Sequence, residues 1–201
     1  MIAMVDGEIP SSIVKEANPN NFGVERITPL TPNDVLGKDY IIVMGLYNEN
    51  WAFDEKRGSR FDMYPKDSTY CGKFNYLVKR IKDNLRMANN TDCKLILVTP
   101  HIFGKYPFNN NDAYHYLNRG MIDSLKVMSS IDSLFFCDLT QLAGIDSTNW
   151  NTYHSCSYMK KSSPHYRLAK YPQNQDCLHL NKRGQMKIAV AIGKWMSEEF
   201  E

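Results

Sequence analysis

Asp176 and His179 stand three residues apart, and Leu180, Asn181 and an amphipathic run from Lys182 to Glu201 follow them directly. A carboxylate at that spacing, in a short loop ahead of a helix, can hold the imidazole in one tautomer and leave its other nitrogen free as a base. That is half of a hydrolytic site. A lone Asp-x-x-His is also a common tetrapeptide and more often a polar loop, so the pair gains meaning only from what the rest of the chain supplies. Other chemistry-bearing residues are Tyr47, Asn48 and Trp51, which form a polar and aromatic turn after an apolar run, and His101, which follows Thr99-Pro100. A metal site built from His101, His154, His165 and Asp176 is the weaker reading, because their spacings match no ligand pattern. Neither a metal nor another cofactor is expected.

The elements that must position these groups can be read from periodicity. Asp39 to Gly45 (DYIIVMG) is a continuous, β-branched apolar run closed by glycine, as expected of a central parallel strand buried on both faces. Lys94 to Pro100 reads as a second such strand and Ser133 to Leu139 as a third. Between Thr69 and Met87, Phe74, Leu77, Val78, Ile81 and Leu85 recur at helical spacing with charges opposite them, which predicts an amphipathic helix. A second helix is expected over 112–128. A last one begins after Asn181 as N-cap, with Met186, Ile188, Ala189, Ile192, Trp195 and Met196 on its core stripe. Alternating strands and helices predict an α/β fold with a central parallel sheet and helices on both faces, joined by right-handed crossovers. Ligands bind such sheets at the carboxyl ends of the strands, which is where residues 46–51 and His101 fall.

Two regions resist this pattern. Residues 1–38 read as mostly irregular, with short strands at Met1 to Val5 and Ser12 to Glu16, because Pro10, Pro19, Pro29 and Pro32 break longer elements. Residues 146–175 have little periodicity and are rich in Tyr, Ser, His and Asn; they read as a long loop or lid, with an inert surface insertion as the equal alternative. At 201 residues the chain is expected to form a single domain over 1–201. Its 43% hydrophobic and 23% charged residues are those of a globular protein, and a net charge of +2 announces no nucleic-acid or anionic-membrane partner. No signal peptide and no apolar run of spanning length is present, so the expected location is cytoplasmic or virion-associated. Five cysteines without ligand spacing fit reduced thiols.

Taken in order, these segments resemble the SGNH (GDSL-type) ester hydrolases. Asp39 to Glu49 (DYIIVMGLYNE) is similar to that family's D-x-I-I-V-x-G-G-T-N-D block, Lys94 to Pro100 to its strand ending in Thr-Pro, and Phe136 to Ile145 to the strand leading into the final catalytic loop. Asp176 to Gly184 (DCLHLNKRG) is similar to D-x-x-H-P-N-x-x-G. The resemblance covers about residues 39–200. It implies a three-layer α/β sandwich, His179 as general base, Asp176 as its orienting carboxylate and Asn48 in the oxyanion hole. Phe22 to Arg26 weakly resembles the block whose glycine backbone N–H, here Gly23, would also bind the oxyanion, although a lone Gly in an Asn-rich loop is more often only a turn. Tyr47, Trp51 and His101 would contact substrate.

The chain departs from the family at Leu46, where a second Gly is usual, and at Leu180, where Pro is usual. It contains no Gly-Asp-Ser. The nearest match is the strand-like Met1 to Val5 followed by Asp6-Gly7, with Gly7 in the nucleophile's place and Ser11 and Ser12 as substitutes. Two readings follow. In the first, the chain is an acyl or acetyl esterase acting on a small-molecule or carbohydrate ester, with Ser12 as nucleophile. In the second, it is a carbohydrate-recognising or virion-associated module that has lost its serine. Both leave room for a partner chain or a second copy to complete the site.

Overall fold

The structure is a computed structural model of the chain; it describes residues 2–6, 30–44, 57–67, 69–101, 119–146, 148–153 and 180–201. The elements are β1 (Ile2–Asp6), α1 (Pro32–Val35), β2 (Tyr40–Met44), α2 (Tyr70–Met87), β3 (Lys94–Val98), α3 (Arg119–Ile131), β4 (Phe135–Cys137), α4 (Leu139–Leu142), α5 (Trp150–Tyr153) and α6 (Lys182–Phe200). They build a sheet of order β1-β2-β3-β4. β1 runs parallel to β2 and β2 parallel to β3, with Ile2, Tyr40 and Lys94 in register at one end and Asp6, Met44 and Val98 at the other. This is an α/β fold with a parallel sheet, as expected. The chain divides into two compact units, 1–99 with 120–136, and 100–119 with 137–201.

The first unit holds the sheet and α2. Ile41, Ile42 and Val43 are buried in succession, as are Leu95 to Val98, the mark of strands covered on both faces. In α2, Phe74, Leu77, Val78, Ile81 and Leu85 form the buried stripe. Each such side chain contributes about 1.5–3 kcal/mol on leaving water. The Thr69 side chain caps the helix by accepting from the Gly72 N–H, and Asn89, at φ 51°, turns the chain out of it. The Asn90 amide donates to the carbonyls of Val35 and Lys38, tying the end of α2 to the turn after α1.

Several expectations need correction. Pro32 does not interrupt structure: it opens α1, where its missing N–H costs nothing. The strand at the N-terminus is present, as expected, and its parallel neighbour is β2; the expected strand at Ser12 to Glu16 lies outside the described residues. α3 runs to Ile131, beyond the expected end at 128, and stops where Ser133 adopts φ 54°. The expected loop at 146–175 begins with the helical turn α5, and its remainder from 154 lies outside the described residues.

In the second unit, α6 packs against α4 and α5. Its buried residues are Gly184, Ile188 and Ile192. Met186 (61% exposed) and Ala189 face outward, contrary to the expected stripe. Residues 186 and 188 lie about 200° apart around a helix, so one face cannot bury both. Trp195 and Met196 are half-buried.

Candidate functional site

The elements flanking the expected site can be assembled from the backbone outward. Because Asp6, Met44 and Val98 share a register, the chain leaves β1, β2 and β3 at one level of the sheet, the carboxyl edge. The segments beginning at residues 7 and 45, and Thr99-Pro100-His101, continue from that edge. The expected site residues Ser12, Gly23, Tyr47, Asn48, Trp51, Asp176 and His179 themselves lie outside the described residues. His101 is described and is buried, 3% exposed, as is Thr99. A histidine at that depth serves as wall more readily than as a solvent-facing ligand.

The backbone that follows the Asp176–His179 pair is held at several points. Asn181 caps α6: its side-chain oxygen accepts from the Gly184 N–H at 3.0 Å, while its amide donates to the Thr152 carbonyl at 2.9 Å. The Asn181 backbone N–H donates to the Tyr153 carbonyl, also at 2.9 Å. Gly184 approaches the same carbonyl so closely that a Cβ there would lie 2.3 Å from it. The Asn-x-x-Gly that follows His179 thus has a local physical role: one residue caps the helix and the other lets α5 lie against its first turn. The ammonium of Lys187 sits 5.0 Å over the Tyr153 ring and closes this contact.

The missing serine raises the question whether a thiol replaces it. Cys71, Cys93 and Cys137 are free. Burial pushes the Cys137 thiol up to about 12, with Asp138 adding to the effect. Burial also raises Cys93, and it raises Cys71 against the opposing charge of Arg57. All three are held as thiols at neutral pH. Among the described residues no group of three or more His, Cys, Asp and Glu side chains could hold a metal ion, and no helix is long and apolar enough to cross a membrane.

One feature was not foreseen. In the first unit a cleft of about 630 Å3 opens between the 57–60 loop, the first turn of α2 and α3, lined by Arg57, Arg60, Asp123 and Ser124 among others. Its signal in the sequence was the basic cluster Lys56-Arg57-Gly58-Ser59-Arg60, which has neither periodicity nor a known motif to draw attention to it.

No protein-family model and no curated protein matches the chain. Among solved structures it is similar to a protein from Lactobacillus plantarum, a structural-genomics target, with a TM-score of 0.57 and 17% identity over 89% of this chain and 74% of that one. At that identity the likeness speaks for the fold alone, an α/β protein built on a parallel sheet.

Proposed function

We propose that the chain is an SGNH-like ester hydrolase acting on a small-molecule or carbohydrate ester. The supporting observation is the common level at which β1, β2 and β3 end: the strand before Asp6-Gly7, the strand before the Asn48 segment and the strand before His101 run parallel and in register. Ligands of parallel sheets bind at that edge. The capped start of α6 immediately after the Asp176–His179 pair is consistent with the same reading.

In this mechanism Asp176 accepts the Nδ1–H of His179, and the free Nε2 takes the proton of the attacking hydroxyl. Ser12 Oγ bonds to the ester carbonyl carbon, and Asn48 with the Gly23 N–H stabilises the oxyanion that forms. His179 then protonates the departing alcohol, and a water repeats the sequence to release the acid. Tyr47, Trp51 and His101 would shape the substrate site. The test is hydrolysis of p-nitrophenyl acetate with Ser12→Ala and His179→Ala variants.

A second reading has its own support: Gly7 occupies the nucleophile's usual place and the described cysteines stay protonated. On that reading the chain is a binding module with the hydrolase architecture. Stoichiometric labelling of a serine by a fluorophosphonate would exclude it.

A further inference from the structure

We propose that the cleft beside α3 is a binding site for a small organic anion, a carboxylate or a phosphate monoester with a short apolar part, held by Arg57, Arg60 and Ser124. The cleft uses none of the residues invoked for ester hydrolysis and stands independently of that activity. Its volume, about 630 Å3, is that of a small-molecule site. Its walls come from the loop entering α2, the first turn of α2 and one side of α3 from Gly120 to Met128.

The lining selects charge. Two guanidinium groups and one carboxylate, Asp123, line the cleft, a modest positive excess suited to a small anion. The planar fork of arginine pairs with carboxylate and phosphate oxygens through parallel hydrogen bonds. Val127 and Met128 supply apolar wall. Ser124 is 6% exposed, and among the described residues its hydroxyl has no hydrogen-bond partner; the oxygen itself is out of contact with solvent, so a rotation about χ1 is needed to bring it to a ligand in the cleft. An orphaned buried hydroxyl is a cost that a polar ligand removes.

The loop that carries the arginines is preorganised. Gly58 adopts φ +70°, and the Asp62 carboxylate accepts from the Ser59 N–H and the Thr69 hydroxyl. The Asn75 amide donates to the carbonyls of Arg60 and Asp62, and the Cys71 N–H donates to the Arg57 carbonyl. A backbone so held fixes where both side chains start, so on binding only their rotamers remain to be ordered.

The test is titration of the full-length, isotope-labelled chain with butyrate, with inorganic phosphate and with neutral butyramide, followed by amide NMR. Saturable shifts at residues 57–62, 71 and 120–128 are expected with an anion and not with butyramide; the anion that binds more tightly identifies the ligand as carboxylate or phosphate. Arg57→Met with Arg60→Met should weaken binding by roughly tenfold or more, and Ser124→Ala by about three- to tenfold. No saturable shift with either anion up to roughly 50 mM, where even a millimolar site fills, would overturn the proposal. So would an equal response to butyramide, or undiminished affinity in the arginine double variant. If that variant loses its native spectrum, Ser124→Ala decides alone, and unchanged affinity refutes the site.

Discussion

Replacing Asn181 by alanine removes two distinct bonds at the start of α6, and their contributions can be separated. The cap from Asn181 to the Gly184 N–H is of a kind worth about 0.5–2 kcal/mol. The bond from the same amide to the Thr152 carbonyl is solvent-exposed and sits near the lower end of about 0.5–1.5 kcal/mol. Together they amount to roughly 1–2.5 kcal/mol, which for a chain of this size corresponds to a fall in melting temperature of about 3–8 °C. Asn181→Asp keeps an acceptor for the Gly184 N–H and places a negative charge at a helix N-terminus, where it is favoured, but it cannot donate to Thr152. Its loss should be less than half that of the alanine variant. Thermal unfolding followed by circular dichroism at 222 nm measures both. An alanine variant that melts within about 1 °C of wild type, or equal losses in the two variants, would show that Asn181 does not hold α5 and α6 as described.

Two further perturbations test other parts of the structure. Gly58→Ala would place a Cβ 2.3 Å from the Thr69 Cβ and 2.4 Å from an Asp62 carboxylate oxygen, at a φ of +70°. Left-handed strain of about 1–2 kcal/mol and overpacking of about 1–3 kcal/mol should show as a lower denaturant midpoint, and a midpoint equal to wild type would contradict the packing. Cys137 titrates at about 12 in the folded chain against 9.0 as its ordinary value. The folded state therefore keeps a proton that the unfolded state releases, so this thiol's contribution is intact below pH 9 and declines as pH rises towards 12. The stability difference between wild type and Cys137→Ala should shrink over that interval; a constant difference would refute the assignment.

How much was legible in the sequence follows from what each signal encodes. β2, β3 and α2 were readable because burial on both faces, or on one stripe, forces composition: an unbroken Ile41-Ile42-Val43 run and the helical spacing of the Phe74 to Leu85 series are what such burial requires. Met186 breaks the expected stripe because apolar identity alone carries no angle, and its neighbour Ile188 occupies the buried face. α1 was hidden because proline ends helices and also begins them. The cap at Asn181 was legible, and so was the strand at the N-terminus, although its pairing with β2 was not, since register is a long-range property. The Arg57, Arg60 and Ser124 cleft was invisible: its residues come from segments more than sixty positions apart, and only folding brings a loop to a helix.

The central claim, that His179 acts as the base of an ester hydrolase, is met most directly by the rate of p-nitrophenyl acetate hydrolysis in wild type and His179→Ala. Wild type should turn over the ester well above the buffer rate, and the variant should lose roughly a hundredfold or more of that rate. A wild-type rate that His179→Ala leaves unchanged would contradict the account.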